Sequence, residues 1–263
     1  MKKRILIRGG GDLASGAAAC LYRHGWQVVI SELPEPLVVR RKVAFAEAVW
    51  DGYCQVEEIS AVLVADLDEL AIALEEGKIP VKIDPEGKLL DELRFDAIVD
   101  ARMLKEFQQN PWFGTIPVVG LGPGFEVGSN CDAVIETKRG KNLGKAIWAG
   151  RAEANTGIPG IVEGRGLERV LYAPAEGVLK TFVEIGDIVQ TDTVLAEIGG
   201  VQIRAFFEGL VRGMARPGLR LKKGVKIGDI DPRLDVELSY QISDKALLIG
   251  EGVLTALNSL VSK

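Results

Sequence analysis

Residues 9–14, Gly9-Gly10-Gly11-Asp12-Leu13-Ala14, fit the pattern G-x-G-x-x-A between a short apolar run and a helical stretch. Without a Cβ, glycine lets the chain turn tightly, so that backbone amides can meet a pyrophosphate at a helix N-terminus. Gly9, Gly10, Gly11, Asp12 and Leu13 are therefore candidate phosphate contacts. Glu32 lies 21 residues beyond Gly11, at the end of the next apolar run, where an acid would accept hydrogen bonds from a ribose diol. Its charge disfavours a 2′-phosphate, so NAD fits this pattern better than NADP, although Arg40 and Arg41 can offset the repulsion. Arg8 and Asp12 depart from an ordinary NAD loop and bias it toward a more charged dinucleotide.

A second glycine-rich segment, Gly120-Leu121-Gly122-Pro123-Gly124-Phe125, also follows an apolar run. At the carboxyl end of a parallel sheet, Gly122 and Gly124 would face the same crevice as the first loop. As ordinary turn-formers the same glycines require no ligand. Residues 138–145 then bring four cations together within eight positions, and Arg139 and Lys141 are candidates for further anionic groups. A solvated basic loop accounts for them equally well. Asp100, closing another apolar run, could serve as a proton donor or as a strand-capping carboxylate.

The elements that must position these residues alternate. Short apolar runs at 4–8, 27–30, 61–65, 96–100 and 115–119 are interleaved with helical stretches at 12–24 and 66–76. That alternation implies βαβ units and a parallel sheet, with 131–136 as a further edge strand. The fold class expected is α/β: a Rossmann-like parallel-sheet domain over residues 1–165, binding a nucleotide, and a small β-rich domain over 166–263 ending in a helix. Gly157-Ile158-Pro159-Gly160 reads as a hinge between them.

The β-rich region repeats at an offset of 32. Ala173, Glu176, Gly177 and Gly186 recur as Ala205, Glu208, Gly209 and Gly218, with apolar pairs such as Val178/Leu210 and Leu195/Ile227 in step. Two copies are too few for a solenoid and suit a flattened barrel with a pseudo-two-fold. The pattern A-P-x-x-G followed by G-D-x-V resembles biotinyl/lipoyl-type barrel-sandwich domains. However, no lysine stands between Lys180 and Lys222, and the expected hairpin tip is Gly199-Gly200, so no covalent lipoyl or biotin is expected. Residues 243–260 read as one amphipathic helix capped by Ser243. Gly250 and Gly252 in its interior cost about 1 kcal/mol each relative to alanine and read either as the close approach of the sheet domain or a ligand or as plain helix imperfection.

Composition excludes several chemistries. The 263 residues carry a net charge of -5, which argues against a general nucleic-acid binder. Glycine is abundant, 31 residues, while His24 is the single histidine. One histidine and three scattered cysteines disfavour a metal site of zinc type and His-based triads. His24, in Tyr22-Arg23-His24-Gly25, reads as a helix-end residue. Met1-Lys2-Lys3-Arg4 is followed only by Ile5-Leu6-Ile7 before Arg8, too short an apolar stretch for a signal peptide. No run approaches the roughly 18 apolar residues of a membrane span. Cys20, Cys54 and Cys131, without close spacing, suit reduced thiols. A cytoplasmic protein with no membrane partner is expected, and self-association as a homo-oligomer is left open.

Taken in order along the chain, several segments resemble the YqeB family, accessory proteins of selenium-dependent molybdenum hydroxylases. They are residues 8–16 around the glycine loop, 36–45 with Arg40 and Arg41, 120–125, and Ile135-Glu136-Thr137-Lys138-Arg139-Gly140. Asn155-Thr156-Gly157-Ile158-Pro159-Gly160, 226–233 ending Asp231-Pro232-Arg233, and Ile242-Ser243-Asp244-Lys245-Ala246 complete the set. One departure is Lys141, where a histidine is expected after Arg-Gly; lysine keeps a cation for phosphate but supplies no comparable acid–base group. The resemblance implies a partner, a molybdenum hydroxylase or its maturation machinery, and no defined reaction. It also suggests a ligand: molybdopterin dinucleotide, a pterin joined to a nucleotide through pyrophosphate. The alternatives are a NAD(P)-dependent oxidoreductase and a non-catalytic docking scaffold.

Overall fold

The computed structural model describes residues 2–154 and 156–261. Met1, which opens the basic start, and Asn155, which opens the Asn-Thr-Gly-Ile-Pro-Gly segment, lie outside the described residues. By contact the chain divides into two units. One comprises Met1–Pro36, Ala44–Thr156 and Ile242–Lys263; the other comprises Leu37–Val43 and Gly157–Gln241.

In the first unit the strands make a mostly parallel sheet whose central members are apolar runs buried on both faces. In chain order they are β1 Arg4–Arg8, β2 Gln27–Glu32, β3 Tyr53–Val56, β4 Ile59–Leu63, β5 Ile79–Ile83, β6 Ala97–Asp100, β7 Val118–Leu121, β8 Ala133–Ile135 and β9 Ala146–Ile147. Among the described residues these nine strands form one sheet, in the order β3-β4-β5-β2-β1-β6-β7-β8-β9. Only β3 and β9, at its two edges, pair antiparallel. Register aligns Arg8 with Ser31 and with Asp100, and Asp100 with Gly120. The carboxyl ends of the central strands therefore share one edge. Strand β5 is absent from the sequence expectation because Pro80 interrupts its pattern, and proline within a run argues against an inner strand.

Helices α1 Asp12–Arg23, α2 Ala48–Asp51, α3 Leu67–Glu75, α4 Leu89–Glu92 and α5 Asp244–Val261 complete this unit. Residues Ala14–Leu21 of α1 are all buried, and most of them are small. The small residues let α5 approach closely. A Cβ on Gly16 would lie 2.6 Å from the Ala246 methyl, and one on Gly250 would lie 2.8 Å from the Gly16 carbonyl oxygen. Gly252 faces the Gly144 carbonyl in the same way. Ser243 caps α5, its Oγ accepting from the Ala246 amide at 3.2 Å. His24 ends α1, with Nδ1 2.8 Å from the Cys20 carbonyl oxygen.

Helix α5 was expected with the β-rich region, in a domain running from 166 to 263. Its glycine face instead packs on α1, so it belongs to the sheet unit. Conversely, Leu37–Val43 leaves the sheet unit for the β-rich one, where Val39 backbone and side chain fill the space above Gly213. The division after Thr156 falls at the Gly157-Ile158-Pro159-Gly160 segment rather than at 165.

The second unit holds short strands β10 Val170–Tyr172, β11 Gly177–Val178, β12 Lys180–Thr181, β13 Ile188–Val189, β14 Val194–Ile198, β15 Val201–Arg204, β16 Gly209–Met214, β17 Arg220–Leu221 and β18 Lys226–Asp231. The 32-residue repeat is structural. The pairs Gly177↔Leu221 and Val178↔Arg220 recur, shifted by 32 in opposite senses, as Gly209↔Val189 and Leu210↔Ile188. Val170↔Asp229 and Leu171↔Gly228 recur as Gln202↔Glu197 and Ile203↔Ala196. Each half thus lends strands to the other about a pseudo-two-fold. Gly186 and Gly218, one per repeat, both take positive φ, 106° and 90°, and donate to Val211 and Leu179 carbonyls respectively. Gly199-Gly200 forms the β14–β15 tip with φ of 58° and 78°, as a two-residue hairpin requires. Among the described residues, no helix is long and apolar enough to cross a membrane.

Glycine to alanine inside a helix normally stabilises by about 1 kcal/mol. At Gly16 the sign reverses, because the methyl meets the α5 backbone and overpacking costs about 1–3 kcal/mol. Gly16→Ala is therefore expected to lower the urea midpoint at unchanged m-value; a rise would contradict the α1–α5 contact.

Candidate functional site

The glycine loop sits where β1 meets α1, and its three glycines have three different reasons. Gly9 has φ of 93° and donates its N–H to the Ser31 carbonyl at 2.8 Å. A Cβ there would press on the Ala101 carbonyl at 3.4 Å. Gly10 lies under the backbone of the 3₁₀ turn Phe45–Glu47, where a Cβ would come within 2.9 Å of the Ala46 nitrogen. Its carbonyl accepts from the Ala46 amide at 2.9 Å and the Ser15 hydroxyl at 3.0 Å. Gly11 is different. It caps α1 at φ of -70°, and beyond Gly11 itself and its two chain neighbours no protein atom lies within 4 Å of where its Cβ would be. Neither conformation nor packing within the chain calls for glycine at this position.

Glu32 ends β2 beside this loop. Oε1 accepts from the Gly10 amide at 2.7 Å, and Oε2 accepts from the Leu33 amide at 2.6 Å. Burial raises its carboxyl above the ordinary range, against those two amides, which favour the charged form. Its first task is thus to hold the glycine loop, with lone pairs on each oxygen remaining for a second donor.

Sequence reading missed the segment that joins the two glycine loops. Residues 101–104 follow β6 and touch both: the Arg102 nitrogen lies 3.5 Å from where a Cβ on Gly9 would be, and the Met103 Cε 3.4 Å from one on Gly122. Met103 itself has φ of 57°, unusual for a side-chain-bearing residue. Arg102 holds fully buried Asp100 bidentately, Nε to Oδ1 at 2.8 Å and Nη2 to Oδ2 at 2.7 Å. Arg8 is 3.7 Å from the same carboxylate, donates to the Pro85 carbonyl, and stacks 4.6 Å from the Trp112 ring centroid. Burial, then repulsion from Arg102, lowers the Arg8 guanidinium pKa, and Asp100 and Asp84 oppose that. Two guanidinium groups thus share Asp100 beside the first loop, and the arginine of the pair nearer to solvent is Arg102. The available signal was an Asp-Ala-Arg sequence at a strand end.

The other expected contacts have structural partners. Gly120 is crowded by the Phe125 ring and Gly124 by Leu104. Gly122 has φ of 86° and faces Thr137 Oγ1. Arg139 grips Asp244 at the start of α5 with two bonds of 2.7 and 2.8 Å, and Lys138 pairs with Glu153. Lys141 is exposed. Arg40 and Arg41 belong to the β-rich unit. Arg40 donates there to the Leu238 and Gln241 carbonyls, and Arg41 to that of Met214. Gly9, Gly10, Gly11, Glu32, Arg8 and Arg102 are the group the sheet edge brings together.

No family model matches the chain. Over 257 residues it is 44% identical to the uncharacterized protein YqeB of Escherichia coli (strain K12), covering 98% of this chain. The chain belongs to the YqeB family. It spans about half the length of that relative, 48%. Among solved structures it aligns with the ectoine utilization protein EutE (DoeB) of Ruegeria pomeroyi, at 10% identity, 87% and 85% coverage and a TM-score of 0.26. A succinylglutamate desuccinylase from Silicibacter sp. TM1040 aligns at 13% identity, 88% and 86% coverage and a TM-score of 0.25. Likenesses that slight carry no argument. Of the segments in which the sequence resembles that family, the glycine loop and 120–125 lie in the sheet unit, and 226–233 lies in the β-rich unit.

Burial disfavours the thiolate at each of the chain's three cysteines. Burial pushes the Cys54 and Cys131 thiols up to about 12 and also raises Cys20. Native protein at neutral pH is therefore expected to resist iodoacetamide, while protein unfolded in urea is labelled at all three. Rapid labelling of the native form at any of them would contradict this.

Proposed function

We propose that the sheet unit is a Rossmann-type nucleotide-binding domain, and that the chain is an accessory protein in maturing a selenium-dependent molybdenum hydroxylase. In this reading it holds a nucleotide or molybdopterin dinucleotide while that cofactor is completed or passed on. The strand order supports it, since β5-β2-β1-β6-β7-β8 runs parallel in the doubly wound 3-2-1-4-5-6 sense, with the glycine loop where the order reverses. The observation that carries the reading is Gly11, a glycine the fold does not require, with open space where its side chain would be. A pyrophosphate fits that space and the exposed amides and positive dipole end of α1.

Gly11 and the amides of Asp12 and Leu13 would meet the pyrophosphate, and Arg102 would supply the nearby cation. Glu32 would accept a ribose hydroxyl with the lone pairs left after Gly10 and Leu33. Arg102 takes the place first given to Arg40, Arg41 and Arg139, each of which holds groups elsewhere. A nicotinamide-dependent oxidoreductase needs a proton donor at this edge. Asp100 is fully enclosed and gripped by Arg102, so binding and handing on is the better reading. The β-rich unit we read as a barrel-sandwich of the biotinyl/lipoyl type, with a Gly199-Gly200 tip where those domains carry a modified lysine.

Calorimetry with molybdopterin dinucleotide and with NAD tests the site. Wild type is expected to bind at least one of these pyrophosphate-bridged dinucleotides, Gly11→Val to abolish binding while the protein stays folded at a cost of about 1 kcal/mol in helix capping, and Arg102→Ala to weaken binding about tenfold. Absence of binding by wild type, or full binding by Gly11→Val, would sink the proposal.

A further inference from the structure

The opposite edge of the same sheet holds a second cluster of cations. Lys2, Lys3, Arg4, Gln27, Arg94 and Asp96 line a cleft of about 530 Å³ where β1, β2 and β6 begin, within the roughly 300–1,000 Å³ range of small-molecule sites. Four cations face one carboxylate, in a chain whose net charge is -5. That carboxylate is already engaged, because Asp96 Oδ2 accepts from the Arg4 backbone amide at 2.7 Å. Among the described residues, no ion pair involves Lys2, Lys3, Arg4 or Arg94. The contrast is with Arg23, Lys138, Arg139 and Arg151, each of which closes on a carboxylate.

Neutral groups hold two of these cations in place. Arg4 donates through Nε and Nη2 to Gln27 Oε1, at 3.3 and 3.2 Å. The Lys3 ammonium lies 5.6 Å from the Trp26 ring centroid, a cation–π distance. Both contacts fix position without neutralising charge. Four like charges within one cleft repel each other, and a ligand carrying several negative charges relieves that repulsion.

We propose that this cleft binds a small oligoanion of the pyrophosphate type, at a site separate from the glycine loop. Its size and the acidic balance of the chain favour a small ligand over nucleic acid, which needs an extended basic stripe. The test titrates inorganic pyrophosphate into Gly11→Val protein, so that the glycine-loop site does not contribute. One site per chain is expected, weakened by added salt and weakened about tenfold or more by Lys2→Glu with Arg94→Glu. Both residues are exposed, so the urea midpoint should not move. No binding, binding indifferent to the charge reversals, or tighter binding of a single-stranded oligonucleotide would each overturn the proposal. None of these outcomes bears on the glycine-loop reading, which is tested by its own ligand.

Discussion

The turn from β1 into α1 calls for glycine at its first two positions, at Gly9 by a φ of 93° and at Gly10 by lack of room for a side chain. Gly9 lies against the Ala101 carbonyl, and Gly10 lies under the Ala46 nitrogen. Both faces of the Gly10 peptide are then claimed, its N–H by Glu32 and its carbonyl by Ala46 and Ser15. Ser15 Oγ in turn accepts from the Phe45 amide. A buried polar group left without a partner costs about 1–3 kcal/mol, so each of these bonds constrains the others. Together they fix the end of β2, the 3₁₀ turn and the segment after β6 around one loop. The direction in which the α1 N-terminus points follows from that lock.

Charge on the two edges of the sheet is organised differently. At the carboxyl edge a fully buried carboxylate, Asp100, anchors Arg8 and Arg102, so the guanidinium groups are held in set orientations. At the amino edge two of the four cations, Arg4 and Lys3, are held by a neutral amide and an aromatic ring rather than by a carboxylate. The first arrangement suits orientation of one particular ligand. The second suits attraction of any compact polyanion, because a charge held by neutral groups discriminates by field rather than by geometry.

Much of the sheet unit was legible because its signals are local. Gly-Gly-Gly after an apolar run, Glu32 at the next run's end and small residues along 14–20 each speak for themselves. The repeat at an offset of 32 was legible too, and its meaning, strands exchanged between halves, is what a pseudo-two-fold requires of two short copies. Strand β5 was not legible because Pro80 breaks the pattern that marks a strand. Arg102 was not legible either, since nothing in Asp-Ala-Arg-Met shows that this segment folds back against Gly9 and Gly122. Arg40, Arg41 and Arg139 look like free cations in sequence. Two of them hold backbone carbonyls of the β-rich unit, and the third holds Asp244.

By itself, the sequence determined most of the kinds of element and the place of the turn. Those depend on residue type and on spacing within one or two turns of chain. Tertiary structure alone decided which glycine is left open, which arginine stands beside it, and which unit owns the last helix. Each of those answers rests on a contact between residues far apart in the chain: Gly10 with Ala46, Gly9 with Ala101, Gly16 with Ala246. Such contacts are settled by which surfaces exclude each other's side chains, and no local pattern carries that information.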